Sequence, residues 1–124
     1  MRLDEMDAEL LATNSLVLGT IGPDGRPQLV AMWFVVADGR VLMSSVAATQ
    51  KVRNLERDPG CSMLLFHPET PYYYAEIRGE ASLAPDPAYE VADRIGPRYG
   101  ADFRSYDGPD TERVAISVRP SKIL

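Results

Sequence analysis

The stretch from Gln28 to Val36 reads QLVAMWFVV and is apolar on both faces of any extended chain. A half-buried strand alternates apolar and polar residues. One that does not alternate needs cover on two sides, or a core on one side and a ligand or partner on the other. The stretch lies between two tight-turn signals, Gly22-Pro23-Asp24-Gly25 and Ala37-Asp38-Gly39. Turns this short join antiparallel neighbours and leave no room for a parallel crossover. The segment Leu16 to Ile21, rich in apolar and β-branched residues, is therefore the first arm of a hairpin whose second arm is Gln28 to Val36.

The remaining pattern repeats this logic. Val41 to Val46 makes a third strand ending in Ser44-Ser45, and Cys61 to His67 a fourth. Tyr72 to Leu83 makes a long fifth, in which Gly79 marks a bulge or bend, and Arg113 to Arg119 a sixth. In the sixth, period two turns Val114, Ile116 and Val118 inward and Arg113, Ala115, Ser117 and Arg119 outward. Leu3, Met6, Leu10 and Leu11 recur at helical spacing, so the first dozen residues are expected to form an amphipathic helix. Thr49 to Arg57 is expected to form a second helix, stopped by Asp58-Pro59-Gly60. A third opens at Pro85-Asp86-Pro87 and breaks at Pro97 and Gly100. The expected architecture is mostly β (α+β), a six-stranded antiparallel split β-barrel with flanking helices, formed as one domain over residues 1–124.

Charge and composition exclude several functions. A net charge of −5 argues against nucleic-acid binding and against an anionic membrane surface, since both need a basic face. One cysteine, Cys61, allows no internal disulfide, and with one histidine, His67, the chain has too few soft ligands for a zinc site. The acid-rich start, with Asp4, Glu5, Asp7 and Glu9, lacks the apolar run of a signal peptide or membrane span; a cytoplasmic location is expected. No nucleophile elbow, Walker loop or dinucleotide fingerprint is present.

The most informative chemistry stands at the head of the second helix. With Thr49 as N-cap, Gln50 and Lys51 fall in the first turn and Arg53 just behind them. A helix N-terminus already carries about half a positive charge, so cations sit badly there. A bound phosphate reverses that sign: free backbone N–H groups, the dipole and the Lys51 ammonium then converge on one anion. The alternative is that Lys51 and Arg53 are solvated surface residues.

Gly22-Pro23-Asp24-Gly25-Arg26-Pro27, Met32-Trp33-Phe34, Gly39 to Ser45 and Lys51 to Pro59, in that order, resemble the pyridoxamine-phosphate-oxidase-like split-barrel superfamily. The further run Pro71 to Ala81, PYYYAEIRGEA, is similar to its flavin/deazaflavin oxidoreductases, particularly those using coenzyme F420. The resemblance spans about residues 3 to 120. It implies a homodimer binding coenzyme F420, or alternatively FMN, and transferring a hydride to an electron-poor double bond of a small organic substrate. By the same resemblance Val30, Ala31, Met32 and Trp33 lie against the flavin ring, Ser44 and Ser45 near the ribityl phosphate, and Lys51 on the phosphate. Asn54 belongs to the same motif and cofactor-binding set, and Tyr74 reaches the pocket across the dimer. Gln50 stands where many relatives have arginine. No acid/base residue is implied. A non-catalytic flavin- or heme-type binding protein is the remaining alternative. The ordinary reading of Trp33 and Phe34 is core or interface. That of Cys61 and Met63 is core, and at least one of Tyr72 to Tyr74 packs internally.

Overall fold

The computed structural model describes residues 2–124. Seven strands form one antiparallel sheet: β1 Leu16–Ile21, β2 Pro27–Met32, β3 Val35–Ala37, β4 Arg40–Val46, β5 Gly60–Phe66, β6 Tyr74–Pro85 and β7 Arg113–Ile123. Their order across the sheet is β2-β1-β5-β6-β7-β4-β3. The two edge strands, β2 and β3, are separated in sequence only by Trp33 and Phe34. A chain covers at most about 3.6 Å per residue, so the sheet has to curl until its edges approach each other. That curl makes the half-barrel, and its hollow is filled by Leu16, Leu18, Phe34, Met43, Met63, Ile77, Ile116 and Val118, all fully buried.

The strand count corrects the expected six. Gln28 to Val36 is not one strand: it breaks at Trp33-Phe34, where the chain leaves one edge of the sheet and starts the other. Nothing in the local sequence signals the break, because its hydrogen bonds come from far along the chain. The Phe34 N–H donates to the Tyr99 hydroxyl at 3.1 Å, and that hydroxyl donates to the Phe34 carbonyl at 3.2 Å. The Arg98 guanidinium donates to the same carbonyl and, at 2.7 Å, to Thr13 O. Gly79 marks a bulge as expected, with the β6–β7 register shifting between Arg78 and Gly79. A Cβ at Gly79 would lie 2.3 Å from Arg119 O.

The helices are shorter than their patterns implied, except one. The N-terminal segment is a 3-10 turn, Leu3–Glu5, followed by α1, Ala8–Leu11, which restarts where the Asp7 carboxylate accepts the Glu9 N–H. Leu3, Met6 and Leu10 are nevertheless buried, as their spacing requires. α2, Gln50–Arg57, forms as read. The expected third helix is reduced to α3, Ala92–Ile95, and a 3-10 turn, Gly96–Tyr99, because Tyr89 takes a positive φ of 58° ahead of it.

In β7, Ile116 and Val118 face the core as expected, but Arg113 and Ala115, expected outside, are buried too. Tyr72, Tyr73 and Tyr74 are all exposed, so the expectation that one packs internally fails within a single chain. Among the described residues no helix is long and apolar enough to cross a membrane.

Candidate functional site

The site is built around the turn from β4 into α2. The Ser45 hydroxyl donates to Val46 O at 3.1 Å and pairs with the Thr49 hydroxyl at 3.2 Å, and Thr49 Oγ1 donates to Val46 O at 3.0 Å. The Ala47 N–H donates to Glu112 O at 2.8 Å, which ties the turn to the start of β7. Thr49 has the extended backbone of an N-cap, but its side chain makes no capping bond. The first-turn N–H groups of α2 therefore keep their donors free, including the one that a Thr49 side-chain bond would have taken.

Asn54 fixes α2 in place. It is fully buried; it accepts from Gln50 Nε2 at 2.7 Å and donates to Thr20 Oγ1 on β1 and Gln28 Oε1 on β2, both at 3.0 Å. Its side chain is engaged within the protein on every side, so its part in the site is to hold the helix and the exposed Gln50. Lys51 is half-buried and forms no ion pair among the described residues. Burial, and then the neighbouring Arg113 guanidinium, push its ammonium below the ordinary lysine range. The charge is held at a cost in the absence of an anion.

Arg113, which the sequence pattern placed in solvent, is the other cation here. It pairs with Val46 in the β4–β7 ladder and is buried in a two-pronged bond to Asp107, Nε to Oδ2 at 2.8 Å and Nη2 to Oδ1 at 2.7 Å. Its guanidinium lies 4.5 Å over the Phe103 ring. Asp107 also accepts the Tyr89 hydroxyl at 2.7 Å, and the Arg113 hydrogen bonds hold its carboxyl below the usual carboxylate range. Ser44 shares the Arg113 face of the pleat, since Ser44 pairs with Ala115. Its hydroxyl is the buried side-chain oxygen left without a partner among the described residues.

The ring-binding candidates divide between two faces. Val30 packs against the core and Met32 is buried within it, whereas Ala31 is exposed on the outer face of β2. Trp33 stacks flat on Tyr99, centroids 4.5 Å apart at 5°, and lies 5.8 Å from Phe103. A continuous row thus runs from Trp33 through Phe103 to Arg113 and the turn that carries Lys51. Tyr74 stands apart from it. The pairing of β1, β2, β5 and β6 puts Tyr74 on the same outer face as Ala31, with its ring exposed. The sequence reading missed Tyr99, Phe103, Asp107 and Arg113. Their one local signal was the aromatic pair Phe103 and Tyr106 inside an otherwise polar loop.

Free N–H groups at a helix head, a half-buried lysine lacking a counter-charge and an orphaned hydroxyl on the adjoining strand fit a phosphoryl ligand. Fold and site together define a small mostly-β (α+β) protein of the split-barrel kind. The chain belongs to the pyridoxamine 5'-phosphate oxidase family, whose model matches residues 3–124. Among solved structures it is similar to an F420 reductase, at 31% identity over 97% of each chain with a TM-score of 0.84. It is also similar to a conserved hypothetical protein from Mycobacterium tuberculosis, at 30% identity over 95% of this chain and 82% of the other, TM-score 0.74. A heme storage protein from Vibrio cholerae shares the fold at 19% identity, covering 100% of this chain and 94% of the other, TM-score 0.78. Family and neighbours support a flavin/deazaflavin oxidoreductase-type family.

Proposed function

We propose that this protein is a homodimeric oxidoreductase that binds coenzyme F420 through its phosphate and passes a hydride to an electron-poor double bond of a small organic substrate. The observation that carries the reading is Lys51: a half-buried ammonium at an uncapped helix head, beside the buried Arg113–Asp107 pair and with no ion-pair partner of its own among the described residues. In this reading Lys51, the α2 N–H groups and Ser44 hold the phosphate. The chain from Val30 to Trp33 lies along one face of the ring, with Trp33 fixed by Tyr99. Tyr74 of a second copy closes the pocket. The cofactor supplies the hydride chemistry when bound, and the protein's work is to bind, orient and exclude water. The 31% identity to an F420 reductase favours the deazaflavin. FMN is the alternative for the same anchor. The buried Cys61, whose thiol burial pushes up to about 11, takes no part, and a reducing, cytoplasmic setting suits it.

Fluorescence titration with F420 and with FMN tests the reading. Lys51→Ala is expected to weaken binding by about 1.5 to 3 kcal/mol, the scale of a charge-assisted hydrogen bond. Equal affinity in the native protein and the variant would remove Lys51 from the site. Turnover with an activated-alkene acceptor and reduced F420 checks the enzymatic half.

A further inference from the structure

We infer that the Lys51 site is charge-matched to a phosphoryl group bearing one negative charge, a phosphodiester, and discriminates against a phosphomonoester dianion, with Asp107 and Gln50 setting that preference. This rests on the reading of Lys51 as the phosphate anchor.

Two cations stand by the α2 head, but only one is free to meet a ligand. Arg113 reaches the region through its pairing with Val46 and the Ala47–Glu112 hydrogen bond, yet its guanidinium is tied in parallel to both oxygens of Asp107 at 2.7 and 2.8 Å. Both side chains are almost fully buried, 8% and 5% exposed, so the pair is a fixed neutral unit. Gln50 adds no charge, and its amide is held by Asn54. Arg53 lies two residues beyond Lys51, about 200° around the helix, and so projects from its far side. What remains is the Lys51 charge and the half-charge of the helix terminus, which suffices for a monoanion and falls short for a dianion.

The neighbouring clefts supply no further cation. Asp110 and Glu112 line a cleft with Val46, Ala47 and Ala48 and form no ion pair among the described residues. Asp86, nearby with Tyr89 and Arg113 in a neighbouring cleft of about 470 Å³, is buried and accepts the Val91 and Ala92 N–H groups. From β2 the side chain that reaches α2 is Gln28, which is neutral and accepts from Asn54. A second ligand charge in this setting meets no further free cation. Its desolvation penalty grows with the square of the charge and goes uncompensated. Of the two cofactors considered, FMN ends in a phosphomonoester and F420 carries a phosphodiester, so the charge on the anchored phosphoryl group itself differs between them.

A ligand pair with one ring system isolates the effect: ribityl deazaflavin 5'-phosphate and its methyl phosphodiester, titrated by fluorescence at pH 8 and at pH 5.5. The phosphomonoester takes its second charge near pH 6, whereas the diester stays singly charged throughout. The native protein is expected to bind the diester on the order of tenfold more tightly at pH 8, a difference equivalent to about 1.4 kcal/mol. At pH 5.5 the two affinities should converge. In Gln50→Arg, an exposed position, the second cation should bring the phosphomonoester level or ahead at pH 8. If both ligands depend on Lys51 and the phosphomonoester binds the native protein as tightly as the diester at pH 8, the charge-matching inference fails and the anchor stands. Binding of neither ligand, or binding indifferent to Lys51→Ala, overturns the anchor and the inference together.

Discussion

At the scale of single residues the site is a set of charges placed at some cost to the fold. The Lys51 ammonium is pushed below the ordinary lysine range by burial and by Arg113. Its folded pKa lies under its unfolded one, so between the two the unfolded chain binds more protons and stability rises with pH. Below that window Lys51 is charged in both states and the fold carries the full penalty. Lys51→Met is therefore expected to leave the ligand-free protein as stable or slightly more stable in thermal melts at pH 7, while weakening phosphate binding as Lys51→Ala does. A loss above about 1 kcal/mol would mark Lys51 as structural. Asp107 has the opposite sign. Arg113 holds its carboxyl below the usual range, so its contribution is complete above the unfolded carboxylate pKa of about 3.9. That contribution drains away as pH falls through the lower folded value. The stability gap between the native protein and Asp107→Asn should accordingly be constant from pH 5 to 7 and close in acid, as read by urea melts across pH. The place of Lys51 in the first turn of α2 was legible in the sequence because the helix boundaries are set locally. Arg113 was not, because period two sees only alternation along β7 and cannot see the loop residues that bury its outer face.

Elements were legible to the extent that their causes are local. α2 formed as read because its N-cap position and its Asp-Pro-Gly stop both lie within a dozen residues. The long apolar run split into β2 and β3 for a reason no local pattern carries: Tyr99 and Arg98 satisfy the Phe34 peptide from 65 and 64 residues away. A sheet whose edge strands are consecutive in sequence has to cross its own opening somewhere, and the crossing requires a break in pairing. At the opposite side of the sheet the bulge at Gly79 does the complementary job of bending β6 around the core. Its Cα sits so close to the β7 backbone that a methyl group there would meet Arg119 O at 2.3 Å and a Val118 methyl at 2.9 Å. Backbone cannot yield as a flexible side-chain end does. Gly79→Ala should lower the unfolding free energy by about 1–3 kcal/mol in chemical denaturation, and a neutral result would show that the β6–β7 register can slip to absorb it.

The whole molecule is unevenly covered. α3 and the segment 96–112 close the outer face of β4 and β7, while the outer face of β2, β1, β5 and β6 has no such layer. It presents Ile21 at 38%, Leu29 at 68% and Tyr74 at 56% exposure, with Val17 and Leu64 half-buried between them. The pairings Val17–Ala31, Val17–Leu64 and Phe66–Tyr74 make these one continuous surface across four strands. This is the two-sided apolar character of Gln28 to Val36 seen at full size: the inner face found a core, and the outer face is left for a partner or ligand. A barrel already filled by its own side chains cannot enclose a ring system, but a cleft between two such faces can. A two-fold dimer would set Ala31 of one copy and Tyr74 of the other on a shared surface, two candidate residues that stand three strands apart within a single chain. Light scattering is expected to give twice the 13.7 kDa chain mass. Leu29→Arg, which changes an exposed side chain and leaves the core untouched, should shift the protein to the monomer with little change in its melting temperature. It should also weaken cofactor binding although Lys51 is intact. A native monomer would overturn the dimeric site, and a monomeric Leu29→Arg that binds cofactor with native affinity would confine the pocket to a single chain.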